Sequence, residues 1–159
     1  MKDLRKRNQG QEQEKEIVNY IDTQLSEAKP LIEAYNQNIL DVPQEYTDIL
    51  PMNYNILIRC YKSIDRVMGV REEEQAGGKK FVPFKNPFPY SGKAVVVRIC
   101  ENNLDYKVGD IIYLQERALG LTGSAYDMKM HYSFSLSKKN KDEGFLLLPM
   151  TEIKCKVKQ

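Results

Sequence analysis

The chain carries 159 residues, 42% of them hydrophobic and 29% charged, with 24 Lys and Arg set against 22 Asp and Glu. This length accommodates one domain with an appendage and one substantial core, and the net charge of only +2 argues against a general polyanion binder, which carries a clear basic excess. The opening stretch MKDLRKRNQGQEQEKE is polar throughout, unlike a secretory signal, and no apolar run approaches the ~18 residues of a membrane span; a soluble cytoplasmic protein is expected.

Cysteine usage points the same way. Cys60, Cys100 and Cys155 are far apart, odd in number and form no CxxC pair, which suggests reduced thiols acting as small hydrophobes rather than a disulfide framework. Residues 1–11 mix charges with Asn, Gln and Gly and are expected to fray as a flexible N-terminus. Over residues 12–40 the pattern is helical. Val18, Ile21, Leu25, Ala28, Ile32, Tyr35 and Ile39 recur at steps of three and four, placing them on one stripe. Pro30 interrupts the stripe's hydrogen bonding, so one kinked helix and two shorter helices both fit. The stripe reads either as a helix lying on the following domain or as an oligomer seam. Asp41-Val42-Pro43 ends it, closing a helical extension that spans residues 12–50.

The texture changes at Leu50-Pro51. Tyr54, Ile56, Ile58 and Cys60 alternate with Asn55, Leu57, Arg59 and Tyr61, the signature of a half-buried strand. Residues 62–92 have no clear period and predict a long loop. It holds an acidic run (Glu72, Glu73, Glu74), the pair Gly77-Gly78, and FVPFKNPFPY with three prolines; long loops inside a domain tend to be functional or disordered. Strand signals return in the β-branched run Ala94-Val95-Val96-Val97, in Ile111-Ile112-Tyr113-Leu114, in Tyr132-Ser133-Phe134-Ser135-Leu136, in Phe145-Leu146-Leu147-Leu148 and in Ile153-Lys154-Cys155-Lys156-Val157. Short strands separated by turn residues imply a mainly β barrel or sandwich over residues 51–159.

Four blocks stand in a fixed order: LPMNYNILIRCYK (50–62), SGKAVVVRI (91–99), YKVGDIIYL (106–114) and GFLLLPMTEIKCKV (144–157). Together they resemble the GroES-like co-chaperonin family, whose strands begin with a Pro-led alternating run and a Gly-charged start after a mobile loop, followed by Lys-Val-Gly-Asp before an aliphatic strand. The resemblance implies a small GroES-like β-barrel carrying an N-terminal α-helical extension, a homo-oligomer that can form a ring, and a loop that docks a chaperonin. In that family the loop presents Gly-Gly followed by a short apolar tripeptide. Here Gly77-Gly78 is followed by Lys79-Lys80, and burying a charge in a groove is costly. Either the anchor lies at Phe81 and Val82, or the loop binds another partner. Phe81, Phe84, Phe88 and Tyr90 lie on a proline-stiffened segment that loses little entropy on docking; an arm packed on its own domain fits equally.

Catalytic chemistry finds little support. GroES-like barrels also occur in zinc-dependent alcohol dehydrogenases, but those need Cys and His ligands and a glycine-rich dinucleotide turn. The single histidine, His131, stands alone, and the chain has no GxGxxG and no P-loop. No catalytic residue, metal or cofactor is therefore expected. A basic arm of Lys2, Arg5, Lys6 and Arg7 is diluted by Glu12, Glu14 and Glu16, which weighs against nucleic acid. The expected function is a co-chaperonin-like protein that oligomerises and docks a chaperonin through Gly77, Gly78, Phe81, Val82, Phe84, Phe88 and Tyr90. The alternative is a structural assembly component, such as a phage virion protein, whose barrel, helix stripe and aromatic arm lock neighbouring subunits together.

Overall fold

β-Branched and aliphatic runs after Leu50 form strands because their side chains suit a pleated, packed surface. The computed structural model describes residues 2–63, 67–85, 90–119, 121–122, 129–130, 132–136 and 144–158. The chain divides into two units, Met1–Glu33 with Ile64–Pro89, and Ala34–Ser63 with Tyr90–Gln159. Among the described residues, no helix is long and apolar enough to cross a membrane.

The first unit holds most of helix α1 (Lys2–Gln37) and a hairpin of β2 (Val67–Gln75) and β3 (Gly78–Lys85). The helix starts at Lys2, so it includes residues that the sequence read as a frayed terminus, and it passes through Pro30 as one element. The three-four stripe marks its buried side: Leu25 is half-buried and Ala28 and Ile32 are buried, while Glu27, Lys29, Leu31 and Glu33 are exposed. On the exposed side Lys29 and Glu33 approach to 4.0 Å, a pair that contributes little in solvent.

The second unit is built on one antiparallel sheet of β1 (Asn55–Lys62), β4 (Tyr90–Arg98), β5 (Ile111–Leu114), β8 (Phe145–Pro149) and β9 (Ile153–Lys156), in the order β8-β1-β4-β5-β9. Among the described residues, two short strands, β6 (Leu121–Thr122) and β7 (Lys129–Met130), pair only with each other. The protein is therefore mainly β, as its sequence implies. The KVGD turn into β5 is closed by Asp110 N–H donating to Lys107 O at 3.1 Å and Lys107 N–H donating to Asp110 Oδ2 at 2.9 Å.

The expected barrel is not closed. β8 and β9 lie on opposite edges of the sheet, yet only residues 150–152 join them. Five flat strands would set those edges ~19 Å apart, whereas the connection reaches ~14 Å at most. The sheet must curl, and it curls without sealing. The reason lies on the free edge of β8, which is taken by residues 132–134. Phe134 N–H donates to Phe145 O at 2.8 Å and Leu147 N–H to Tyr132 O at 3.3 Å, around a single bridge between Ser133 and Leu146.

Curling gathers one face of every strand into one core of Ile56, Ile58, Cys60, Ala94, Val96, Ile112, Leu114, Leu146, Leu148 and Ile153. The opposite face of β8-β1-β4 is buried too, where Tyr46, Leu57, Val97 and Phe145 form a second cluster. Tyr46 sits on helix α2 (Gln44–Thr47) and stacks on Phe145, with ring centroids 3.9 Å apart. Arg98 Nε fixes this covering segment by donating to Ile49 O at 2.9 Å. β1 is thus buried on both faces from Ile56 to Cys60, and not half-buried as its alternation implies.

Candidate interaction site

The segment expected to act as a loop is largely a β-hairpin. It is inserted between β1 and β4, which are adjacent strands inside the sheet. Ala76 and Gly77 form its turn, with Gln75 opposite Gly78. Gly77 and Gly78 adopt φ of +118° and +127°, a region glycine enters without steric cost. Both are exposed and meet nothing where a Cβ would stand.

The register accounts for the two lysines that disturb the family resemblance. Glu73 lies opposite Lys80 and Glu74 opposite Lys79, while Glu72 faces Phe81 and Arg71 faces Val82. Opposite charges at directly paired positions stabilise an antiparallel ribbon by ~0.2–1 kcal/mol each. The acidic run and the lysines are thus two sides of one hairpin tip. Below the tip the register brings Val70 against Pro83 and Gly69 against Phe84, so apolar residues occupy the half nearer the sheet in chain order.

The expected docking residues are therefore separated. Gly77 and Gly78 are at the tip, and Phe81, Val82 and Phe84 lie in β3. Phe88 lies outside the described residues, as does His131. Tyr90 opens β4 and packs on the sheet core; its ring would lie only 2.4 Å from a Cβ at Gly144. Tyr90 belongs to the scaffold.

The stripe residues also divide. Val18 and Ile21 lie in α1, but their side chains are outside what is described. Leu25 and Ile32 belong to the first unit, Tyr35 and Ile39 to the second. The second unit anchors the chain after α1 through a residue the sequence had placed on a solvent face. Arg59 is only 8% exposed. Its Nη1 donates to the carbonyls of Ile39 at 2.9 Å, Asp41 at 3.1 Å and Asn38 at 3.3 Å, and its Nε to Tyr35 Oη at 3.1 Å. The guanidinium lies 4.5 Å from the centre of the Tyr35 ring and 5.3 Å from that of Phe145. Carbonyls past a helix C-terminus need donors, and a cation suits that end of the helix dipole. Beside it, the Asn36 side chain donates to Lys62 O at 2.9 Å and accepts from Lys62 N–H at 3.0 Å. The sequence signal was available: a lone Arg inside an apolar run, downstream of a helix end, suggests a cap.

Burial governs the titratable shifts that are resolved. Burial pushes the Cys60 thiol up to about 12, which leaves it neutral and unreactive near pH 7. Burial also raises Tyr61, and burial followed by the neighbouring Asp105 charge raises Tyr106. Cys100 is buried and Cys155 exposed, and all three thiols are free. Among the described residues, no group of three or more His, Cys, Asp or Glu could hold a metal. A shallow depression of about 470 Å³ is lined by Gln115, Glu116, Arg117 and Lys154, unlike the mostly apolar lining of small-molecule sites. Arg117 Nε donates to Glu152 Oε2 at 2.9 Å, and the Glu152 carboxylate is buried. No family model matches the chain, and no curated protein matches it.

Proposed function

We propose that this chain is a non-enzymatic assembly protein of the co-chaperonin type, which forms a homo-oligomer and docks a protein partner through the β2–β3 hairpin. The observation that carries the reading is the insertion itself. A ribbon with a charge-matched tip and apolar residues in β3 leaves and re-enters the sheet at neighbouring strands. Binding segments are characteristically carried by such excursions from a rigid scaffold. An isolated two-stranded ribbon is marginal in water, so contact with a partner is a direct way to stabilise it, and weak contacts repeated around an oligomer add by avidity. A chaperonin is the partner that the order of the sequence blocks suggests.

One observation favours a second reading, a structural subunit of an assembly such as a virion. Lys79 and Lys80 follow the glycine pair and are matched to Glu74 and Glu73 within the hairpin, so the tip carries charge where a groove-binding tripeptide would be apolar. Native mass spectrometry of the full chain, alone and with a chaperonin and ATP, separates the two. The first reading expects a complex that forms with the wild type and is lost in the Phe81→Ser, Val82→Ser double variant, whose oligomer stays intact. Loss of the oligomer in that variant would support the structural reading. No complex and no oligomer in the wild type would overturn both.

A further inference from the structure

We propose that the open edge of β9 accepts an extended acidic segment of a protein partner as an added strand. The two edges of the sheet are not equivalent. Residues 132–134 hydrogen-bond to β8, as described above, whereas β9 pairs only with β5 among the described residues. Val157 N–H donates to Ile111 O at 2.8 Å, and Cys155 pairs with Tyr113. Backbone groups alternate sides along a strand, so the N–H and C=O of Lys156 point away from β5. Such groups are the template on which peptides add to a sheet.

The side chains state which segment fits. Lys154, Cys155, Lys156, Val157 and Lys158 are all exposed. Lys156 is engaged by Asp110 at 3.7 Å and donates to Asp105 O at 2.9 Å. Among the described residues, Lys154 and Lys158 have no acidic partner. Arg117, with its side chain 70% exposed, lies with Lys154 along the same shallow depression. Glu116 is the exposed acid there, and Glu152 is already neutralised by Arg117. The edge therefore presents a positive strip beside unpaired backbone groups. Two copies meeting at this edge would set lysines against lysines, which is destabilising at paired strand positions. An acidic strand reverses that sign, so the same lysines that reject self-pairing select the partner.

The test uses the full chain and a labelled peptide alternating Glu and Val, followed by fluorescence anisotropy. Binding should weaken about tenfold or more in the Lys154→Glu, Lys156→Glu, Lys158→Glu variant, which should then prefer an alternating Lys and Val peptide. Lys156→Pro removes an outward N–H and should abolish binding while the Tm is retained, because proline is tolerated where a strand's N–H faces outward. Should that variant fail to fold, N-methylation of alternate peptide residues provides the same backbone test on the wild type. The proposal is overturned if the N-methylated peptide binds as tightly as the parent, or if acidic and basic peptides bind alike. It is also overturned if Lys156 N–H is protected from exchange in a concentration-dependent way in the free protein, which would mean that a second copy covers the edge. The Phe81→Ser, Val82→Ser variant should bind the peptide normally, because the hairpin and β9 belong to different units of the chain.

Discussion

Replacing Arg59 by Met keeps most of the side-chain volume and removes every hydrogen bond it makes. The carbonyls of Ile39 and Asp41, its two shortest carbonyl acceptors at 2.9 and 3.1 Å, lose their donor at a site where Arg59 itself is 8% exposed. An unsatisfied buried polar group costs about 1–3 kcal/mol. The Ile39 carbonyl is buried and the Asp41 carbonyl partly so, so the pair costs on the order of 2–5 kcal/mol, and part is returned because a buried cation no longer has to be desolvated. A net loss of about 3 kcal/mol is expected. For a chain of this size that corresponds to a fall in Tm of roughly 6–12 °C. Arg59→Lys should fall between, since an ammonium can reach the carbonyls but cannot also donate to Tyr35 Oη while stacking on its ring. Urea denaturation gives the free energies, and a cycle with Tyr35→Phe isolates the Arg59–Tyr35 coupling. If Arg59→Met stays within about 0.5 kcal/mol of the wild type, or equals Arg59→Lys, the capping argument is wrong.

Two further outcomes follow from close packing and burial. Gly144→Ala places a methyl 2.4 Å from Tyr90 Cε1 at a φ of +73°, so it should destabilise by several kcal/mol, and Tyr90→Ala in the same chain should recover only the steric part, as thermal unfolding will show. Cys60 has a thiol held up to about 12 against an ordinary 9.0. The unfolded chain therefore releases that proton first. Its contribution is intact below pH 9 and is lost between pH 9 and about 12, at about 1.4 kcal/mol per pH unit. A slope over that window unchanged in Cys60→Ala would refute this, and an aromatic disulfide reagent at pH 8 should label Cys155 rapidly while Cys60 and Cys100 wait for unfolding.

What the sequence disclosed depended on how each element is held. The sheet strands were legible because Ile56, Ile58 and Cys60 repeat at the period that one core face demands, and because Ala94-Val95-Val96-Val97 is a continuous β-branched run that suits a strand buried on both faces. The buried side of α1 was legible for the same reason, since Leu25, Ala28 and Ile32 keep a helical spacing. The hairpin escaped because it is not organised by hydrophobic alternation. Its register places Glu73 and Glu74 opposite Lys80 and Lys79 about the Ala76-Gly77 turn, a symmetry visible only when the two halves are folded against each other. A closed barrel does not follow from the strand signals, because the pattern at Tyr132–Leu136 does not say that part of this segment takes the edge of β8 through one bridge. Alternation alone puts Arg59 on the solvent face of β1, and only reading it together with the helix end upstream gives it a capping role. Of the expected docking residues, Tyr90 was misplaced because an aromatic beside prolines looks the same whether it ends an arm or begins a strand.

That position of Tyr90 bears on how the hairpin can work. The chain leaves the sheet at Lys62 and returns at Tyr90, and these two residues are paired across β1 and β4. Each is separately held. The Lys62 backbone is locked to the Asn36 side chain in both directions, and its ammonium lies 3.9 Å from the centre of the Tyr35 ring and 5.6 Å from that of Tyr90. The Tyr90 ring closes over Gly144, whose carbonyl accepts from Cys60 N–H at 2.9 Å. Once these contacts form, the ends of the insertion are fixed and the entropy of closing it has been met by the sheet. Sequence between them can then vary with little effect on the strands that carry it. Changes within β2 and β3 should therefore alter docking at nearly constant Tm, whereas a change at Asn36 or Gly144 should lower Tm first and affect docking only as a consequence. Measuring both quantities on one set of variants separates an arm built for a partner from a segment that serves the fold.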